Sequence, residues 1–486
     1  MKKIREKRNP EKRRRPAAER PNLLSEGTIC AIATPVGEGG IGIVRLSGDR
    51  AVEIAARVIR ARNGRPVETL ASHTLHLGAA HDPSTGDRLD EVMLAVMRAP
   101  RTYTRMDTVE VYCHGGALLL HRILDLLIGQ GARLADPGEF TKWAYLNGRI
   151  DLTQAEAVMD LIRAKTEAGQ RAALSQLEGM LHRRIVHLRG EAVRFLAEVE
   201  AGIDFAEEDI RFLSPDQIQT QIQALIHQTD SLLKTAASGK ALREGIATAI
   251  IGPPNVGKSS LLNALLMQNR AIVTPIPGTT RDVIEEYLNL EGIPLRIMDT
   301  AGLRDTEDVV EREGILRTRQ AIQRADLIVL ILDATQPLNP EEVRLVEETA
   351  DSRRLIALNK IDLLSKSSRA KTQEELVKKF PGEVVFISVL TGEGLEELKA
   401  AAIKQIRSGI VTSGDREAMI NSRHKSLLLQ AKNCFQNALS ADNKNASAEL
   451  IAVDIRAAID RLGEITGDCT TEDLLATIFK EFCIGK

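Results

Sequence analysis

A phosphate-binding loop in the middle of the chain constrains the fold more than any other feature. Residues 252–259 read Gly-Pro-Pro-Asn-Val-Gly-Lys-Ser, the spacing of a loop that wraps nucleotide phosphates. The apolar run 246–251 before it predicts a buried strand, and residues 260–266 after it predict the start of a helix. A strand, this loop and a helix in that order predict a nucleotide-binding α/β domain with a parallel sheet.

The loop assigns roles to individual residues. Backbone N–H groups of residues 255–259 are expected to point at the β-phosphate, at the positive end of the following helix. Lys258 is expected to reach the β- and γ-phosphates, and the Ser259 hydroxyl to bind Mg²⁺.

A second motif indicates which base is bound. Asn359-Lys360-Ile361-Asp362 follows the apolar run 355–358, which predicts another parallel strand. A carboxylate at Asp362 can accept from N1–H and the 2-amino group of guanine, whereas adenine offers no such pair of donors on that edge. Asn359 is expected on the other side of the base and the Lys360 stem across the ring. The sequence therefore predicts GTP.

Three further segments complete the predicted nucleotide site between residues 248 and 407. Asp299 in Asp-Thr-Ala-Gly (299–302) is expected to hold Mg²⁺ through water, Thr280 to be the second protein ligand of Mg²⁺, and residues 388–390 to support the guanine. The predicted GTP-binding residues are Asn255, Val256, Gly257, Lys258, Ser259, Ser260, Thr274, Pro275, Ile276, Pro277, Gly278, Thr279, Thr280, Asp299, Thr300, Ala301, Gly302, Asn359, Lys360, Asp362, Ser388, Val389 and Leu390.

One position departs from many GTPases. Residue 303 is Leu, where many GTPases have a Gln that orients the attacking water. An aliphatic side chain cannot do this, so either hydrolysis is slow or a polar residue elsewhere acts. Several carboxylates in residues 304–313 are candidates.

Composition limits the remaining possibilities. The chain has 486 residues, a length that suggests about three domains. A net charge of −2 gives no signature of a nucleic-acid binder over the whole chain. The sequence shows no apolar run of membrane-spanning length and no signal-peptide core. Five scattered cysteines predict neither a disulfide framework nor a metal site, and favour a reducing, cytoplasmic setting.

The predicted domains differ in composition and in sequence pattern. Residues 1–26 are too basic and too poor in apolar residues to fold; this arm either contacts RNA phosphates or is a solvated tail, and an organelle transit peptide is a third, disfavoured reading. Short β-type runs with Gly and Pro predict an α+β domain over 27–148. Helical patterns follow over 149–247, with a capping box at Thr153 and Glu156, and return over 408–486. The GTPase domain, 248–407, is therefore expected to be inserted into a helical domain.

Several segments together resemble one family. Residues 28–45, 137–141 and 146–157, the central GTPase motifs and the C-terminal Phe-Cys-Ile-Gly-Lys (482–486) are similar to the MnmE (TrmE) family of tRNA modification GTPases, in order over about 27–486. The resemblance implies a multidomain α/β plus α fold. It has an N-terminal α+β folate-binding and dimerisation domain, a helical domain, and an inserted Ras-like P-loop GTPase domain whose parallel-rich sheet has helices on both faces.

The resemblance also implies a function. A homodimer, acting with an FAD-containing MnmG-like partner in a heterotetramer, would add an aminomethyl or carboxymethylaminomethyl group at C5 of the wobble uridine (U34) of certain tRNAs. The one-carbon unit would come from a 5-formyl- or methylene-tetrahydrofolate, and FAD would reside only on the partner. An RNA- or ribosome-assembly GTPase switch of the same subtype, and an interaction scaffold with slow turnover, are the alternatives.

Site residues follow from the same resemblance. K⁺ would be held by Asn255, Thr274, Ile276 and Thr279, and Glu311 would orient the water. K⁺ would stimulate hydrolysis when two GTPase domains meet across the dimer.

The resemblance places folate on Arg45, Glu110, Arg149 and Lys486. Three residues depart from the family pattern beside that site: Trp143, Arg105 and Met106. Cys483 either takes part in the modification chemistry or is a small residue of a docked tail.

Overall fold

The computed structural model describes residues 27–35, 37–204, 213–269, 286–298, 319–365, 369, 383–408, 419–443 and 447–485. The basic arm 1–26 lies outside this part. The chain forms two compact units, Met1–Arg149 together with Phe479–Lys486, and Ile150–Ile478. The limits of the five predicted domains stay predictions. None of the helices within the described ranges is long and apolar enough to cross a membrane.

The first unit is built on a seven-stranded sheet with the strand order β3-β4-β5-β6-β2-β1-β7. Its elements are β1 (Ile29–Ile32), β2 (Gly39–Ser47), α1 (Ala51–Val58), β3 (Ile59–Ala61), β4 (Thr74–His81), β5 (Arg88–Met97), β6 (Thr108–Gly115), α2 (Ala117–Gly129), β7 (Arg133–Leu134) and α3 (Glu139–Leu146). Successive residues of β1 face opposite ways. Cys30 therefore joins the core under α1 and α2, while Ile29 and Ala31 pack with Phe140 of α3. At β1 the sheet is therefore covered by α1 and α2 on one face and by α3 on the other, and the unit is α+β as predicted.

The C-terminal tail packs against this sheet unit. Phe482 lies against Gly138, the residue before α3, and the Gly138 N–H donates to the Cys483 carbonyl at 3.3 Å. Gly485 has φ +94°, and a Cβ there would overlap the Ile32 carbonyl oxygen, so only glycine fits. The tail is thereby held beside β1 and β2.

The helices of the second unit come from two stretches of sequence that share one core. The first stretch contains α4 (Leu152–Arg163), α5 (Glu167–Leu177), α6 (Met180–Asp204), α7 (Pro215–Lys234) and α8 (Ala236–Glu244). The second contains α12 (Ser422–Asn443), α13 (Ala448–Thr466) and α14 (Glu472–Lys480), the last of which runs to the boundary of the unit. Phe195 of α6, Leu225 of α7, Phe435 of α12 and Ile455 of α13 meet in this core.

Between these stretches lies a six-stranded sheet with the order β13-β12-β11-β8-β10-β9. Its elements are β8 (Ile246–Ile251), α9 (Lys258–Asn269), β9 (Glu286–Leu290), β10 (Ile293–Ile297), β11 (Leu327–Asp333), α10 (Pro340–Glu348), β12 (Arg354–Asn359), β13 (Glu383–Phe386) and α11 (Leu395–Arg407). All pairings are parallel except that of β9 with β10. Ile250 and Ile251 of β8 belong to different cores, one on each face. The parallel-rich sheet with two buried faces is confirmed.

The predicted capping box at Thr153 is wrong by two residues. Asp151 is the N-cap of α4: its carboxylate accepts from the N–H groups of Thr153 at 2.7 Å and Gln154 at 3.1 Å, and Gln154 accepts from the Asp151 N–H at 3.0 Å. Glu156, the residue assigned to the box, is used elsewhere. It lies too far into the helix to reach back, and its side chain is buried against α12.

Glu156 forms a buried ion pair that joins the two helical stretches. Arg423 donates to both carboxylate oxygens at 2.9 Å, and the ring Nε2 of His424 lies 2.7 Å from one of them. Burial alone would raise the pKa of Glu156, but the hydrogen bonds and charges of His424 and Arg423 hold it well below its ordinary value. A carboxylate so paired stays ionised, and removing either partner would leave a buried charge uncompensated.

Asp160, one turn further along α4, is in the opposite situation. Its side chain is 10% exposed and pairs with Arg243 of α8 at 3.3 Å. It lines a cavity of about 140 Å³ together with Arg163, Leu242 and Met419. Burial raises its pKa to about 6, although the Arg243 charge opposes the rise. This carboxyl group therefore costs stability when it is ionised.

We expect Asp160→Asn to stabilise the second unit above pH 6. Between about pH 4 and pH 6 the folded state keeps a proton that the unfolded state has lost, so wild-type stability falls as pH rises through that window. A rise of roughly two pKa units corresponds to about 3 kcal/mol, so the gain at pH 7.5 should be about 1–3 kcal/mol. Urea unfolding at pH 7.5 and pH 5 measures it.

The difference between Asp160→Asn and wild type should shrink towards pH 4. The exposed Asp351, changed to Asn, is the matched control in the same unit and should behave as wild type. A gain for Asp160→Asn that is constant with pH, or no gain at all, would contradict the assignment of a raised pKa.

Candidate functional site

The phosphate loop connects the buried strand β8 to α9, which begins at Lys258. Asn255 and Gly257 have φ values of +61° and +103°, left-handed conformations that let the backbone turn tightly within the loop. A Cβ at Gly257 would overlap the side-chain amide nitrogen of Asn359. Glycine is therefore required there by close approach as well as by φ.

Lys258 folds back over the loop that contains it. Its ammonium group donates to the carbonyl oxygens of Gly252 at 2.9 Å and Pro253 at 2.6 Å. Burial lowers the pKa of Lys258. Both partners are neutral carbonyl groups, so the cation is pre-positioned beside the N-terminus of α9, and its charge is available to an anion there. This donor set fits a polyphosphate.

The side-chain amide of Asn359 ties the phosphate loop to the loop of residues 388–390, called the base-side loop. Asn359 is 4% exposed; its Nδ2 donates to the Val256 carbonyl at 2.7 Å, and its Oδ1 accepts from the Val389 N–H at 3.0 Å. Both ends of the amide are engaged by protein groups. The sequence predicted Asn359 at the base but not this tie, which only the register of β12 beside β11 brings about.

Asp362 is held by the loop after β13. The Ser388 hydroxyl donates to Asp362 Oδ1 at 2.6 Å and accepts from the Thr391 N–H at 3.2 Å. Ser388 is fully buried, whereas the Asp362 side chain is half-buried. A carboxylate with one bond from the protein keeps acceptor capacity for two further donors. The structure thus brings Asp362 and Ser388 together.

Several predicted residues of the nucleotide site lie outside the described residues. They are the GTP-binding and K⁺-binding segment Thr274, Pro275, Ile276, Pro277, Gly278, Thr279 and Thr280, the segment Asp299, Thr300, Ala301 and Gly302, and Glu311. Lys486 of the predicted folate site lies outside them as well. Their roles stay predictions.

A second polar cluster lies in the first unit, where β2 pairs with β6. Arg45 and Glu110 are direct cross-strand partners, with Arg45 Nε 2.7 Å from Glu110 Oε1. The Tyr112 hydroxyl donates to the other Glu110 oxygen at 2.7 Å. Arg45 also donates to the Gly485 carbonyl at 3.2 Å and lies 5.7 Å from the Phe140 ring centroid. The docked tail is thereby attached to the predicted folate residues.

Arg149 approaches the same cluster from the end of the unit. It donates to the Thr102 carbonyl at 2.7 Å, and its guanidinium carbon lies 5.5 Å from the Tyr103 ring centroid. Burial raises the pKa of Tyr103, and the charges of Arg149 and Arg45 both oppose that rise. Tyr103 is therefore within electrostatic reach of both arginines. Three of the predicted folate residues, Arg45, Glu110 and Arg149, lie around one region.

Of the three residues that depart from the family pattern, Trp143 and Met106 pack in one apolar cluster beside this region, whereas Arg105 is exposed. Trp143 is 3% exposed and packs with Phe140, with Tyr103 and Met106 against the same cluster. Arg105 has φ +59°, an unfavourable conformation for a residue with a side chain, and donates to the Asn147 carbonyl at 2.9 Å. Trp143 and Met106 thus fill a shared apolar cluster, which no local sequence signal could reveal.

Cys113 and Cys483 differ in accessibility. Cys113 is buried, and burial raises its pKa to about 11. The neighbouring His114 is exposed and pairs with Asp90 at 2.7 Å, so the two residues do not form a nucleophile and base. Cys483 is exposed in the docked tail, with its backbone carbonyl bound to Gly138. Its thiol is accessible, as a chemical role would require.

Comparisons with known proteins cover almost the whole chain. Residues 28–149 match the family model described as the GTP-binding protein TrmE N-terminus, and residues 152–483 match the MnmE helical domain. The chain is 49% identical to the tRNA modification GTPase MnmE of Geobacillus kaustophilus over 94% of this chain and 99% of the relative. It is 47% identical to that of Lacticaseibacillus paracasei over 96% and 99%.

Solved structures are similar over smaller parts. The crystal structure of a point variant of Aquifex aeolicus Era, bound to GDP and AlF4⁻, is 30% identical, with a TM-score of 0.27 over 39% of this chain and 65% of that chain. The family assignment rests on the sequence relatives and the family models.

Proposed function

This chain belongs to the MnmE family of tRNA modification GTPases, and we propose that it hydrolyses GTP to drive the modification of a wobble uridine in tRNA. The observation that carries the proposal is the assembly of a phosphate loop and a guanine-side loop around one amide. Asn359 bridges Val256 and Val389 and so fixes the two loops, between which a nucleotide would bind, relative to each other.

The residues of this site suit GTP and Mg²⁺. Lys258 and the N–H groups at the start of α9 would bind the phosphates, and Asp362 would accept from the guanine edge. Ser259, the first residue after the lysine, would bind Mg²⁺ through its hydroxyl, with Thr280 as the second protein ligand. A bound Mg²⁺ neutralises charge on the phosphates during hydrolysis.

We infer that a K⁺ ion and Glu311 replace the residues that other GTPases use for catalysis. Leu303 cannot orient water, and among the carboxylates of residues 304–313 Glu311 occupies the position that the family resemblance indicates. Asn255 would bind K⁺ with Thr274, Ile276 and Thr279. A monovalent cation beside the β- and γ-phosphates can stabilise the charge that develops there.

The tRNA chemistry is proposed to involve the first unit and a partner. A homodimer would act with an FAD-containing MnmG-like protein on C5 of U34, in the cytoplasm. Glu110 would accept from the amino-pyrimidine edge of a tetrahydrofolate derivative, because each of its oxygens accepts only one bond from the protein. Arg45, Arg149 and Lys486 would attract the carboxylates of the glutamate tail of the folate. The exposed Cys483 lies on the C-terminal segment of the chain, which contacts Arg45 through Gly485.

Potassium should accelerate GTP hydrolysis, and Glu311→Ala should slow it. Removing a water-orienting group is expected to lower kcat by about 10²–10³-fold while GTP affinity changes little. Turnover in KCl and NaCl at equal ionic strength, with nucleotide affinity measured in parallel, gives both quantities. Equal rates in the two salts would refute the K⁺ site, and a normal rate for Glu311→Ala would refute its role.

Wobble uridines should lack their C5 substituent in cells without this protein. Nucleoside analysis of total tRNA would show the change, and re-expression of the full chain should restore the modification. Re-expression of Asp362→Asn should not, because the affinity and preference for GTP would be reduced. Normal ribosome assembly together with unchanged uridines would remove tRNA modification as the function; defective ribosome assembly with unchanged uridines would favour the assembly switch.

Glu110→Gln should weaken the binding of 5-formyl-tetrahydrofolate by about tenfold or more, because a neutral amide replaces a charge-assisted acceptor. Calorimetry on the full chain measures it. The matched control is Glu91→Gln, an exposed carboxylate on the adjacent strand β5 that pairs with Arg88. Unchanged affinity for Glu110→Gln would exclude Glu110 from the folate site.

A further inference from the structure

Asp333, the last residue of β11, lies beside the proposed guanine motif, residues 359–362, although it belongs to none of the nucleotide motifs. It is the register partner of Asn359, and the Ala334 N–H donates to the Asn359 carbonyl at 2.9 Å. Asp333 Oδ2 accepts from the Lys360 ammonium group at 2.7 Å. The Asp333 carboxylate, at the end of β11, thus pairs with Lys360, the residue that follows the adjacent strand β12.

The other oxygen of Asp333 is fixed by its own turn. Oδ1 accepts from the Thr335 N–H at 2.9 Å and from the Thr335 hydroxyl at 2.6 Å. Burial would raise the pKa of Asp333, but the hydrogen bonds from Lys360 and Thr335 hold it below its ordinary value, so the group is ionised at neutral pH. With both oxygens engaged by the protein, this side chain is oriented towards Lys360 before any ligand arrives.

Lys360 needs such an anchor. Its backbone has φ +69°, and its side chain is one-third exposed, so a free lysine stem would sample many rotamers. Ordering a free lysine side chain costs conformational entropy. The ion pair with Asp333 fixes the ammonium end of the stem. The bonds that Asn359 and Ile361 make to neighbouring loops fix its backbone end.

We propose that Asp333 is a positioning residue of the guanine site: it holds the methylene stem of Lys360 in place across the face of the purine ring. The inference rests on the proposed assignment of residues 359–362 to the base. Asp333 acts through Lys360, which contacts the ring, and does not itself touch the nucleotide. It therefore affects how tightly any purine nucleotide binds, and neither the choice of base edge nor the hydrolysis step.

The primary test is Asp333→Asn in the full chain. The amide keeps the size of the side chain and an acceptor for Thr335 but loses the charge that pairs with Lys360. Affinity for GDP and for GTP should fall by about fivefold to tenfold, the range of a partly buried ion pair, and KM for GTP should rise accordingly. At saturating GTP, kcat should stay within about twofold. Unchanged nucleotide affinity would overturn the proposal.

A double-mutant cycle separates positioning from a structural role. Lys360→Met keeps an apolar stem but cannot pair, so Asp333→Asn should have no further effect in that background. An equal loss in both backgrounds would overturn the proposal, since Asp333 would then act through the Thr335 turn. Asp326→Asn, at the other end of the same strand segment, is the matched control and should bind GDP as wild type does.

Inosine diphosphate distinguishes the failure of this inference from that of the guanine assignment. It lacks the 2-amino group but presents the same ring face. Asp333→Asn should weaken GDP and inosine diphosphate by the same factor, whereas Asp362→Asn should reduce the preference for GDP. If Asp333→Asn changed that preference, Asp333 would act on the base edge and the proposal would fail. If wild type showed no preference between guanine and adenine nucleotides, the base assignment itself would fail.

Discussion

The nucleotide site depends on two hydrogen bonds made by one buried amide. Asn359 donates to Val256 in the phosphate loop and accepts from Val389 in the base-side loop. Parallel strands place these loops at the same edge of the sheet, and the amide links them. Buried polar groups are costly to leave unpaired, so the two loops are fixed at one separation. Gly257 is required because the amide approaches so closely.

Local sequence patterns predicted the elements of the central sheet well, because its strands are buried on both faces and read as continuous apolar runs. The run 246–251 coincides with β8, and its two faces feed two cores. The approach of Asp362 to Ser388 was also predictable, since the two residues follow adjacent parallel strands. The engagement of Asn359 and the pairing of Asp333 with Lys360 were not, because both depend on the register between strands distant in sequence.

The helical unit shows a different limit of sequence analysis. Thr153 and Glu156 have the spacing of a capping box, and Asp151 with Gln154 has it equally well. Tertiary contacts decide between them, because Glu156 forms an ion pair with Arg423, which lies more than two hundred residues away in the chain. The same long-range packing gives Trp143 and Met106 a shared apolar cluster. Patterns within one helix turn cannot contain that information.

The docked C-terminal tail is anchored at two fixed positions. Phe482 is fixed against Gly138, and Gly485 is fixed against the Ile32 carbonyl, so two anchors only three residues apart enclose Cys483 and Ile484. Neither anchor can slide, because a bulky ring fills one and a position that tolerates only glycine forms the other. The chain between them has no slack. Adding or removing a single residue there would therefore uncouple the tail from Arg45.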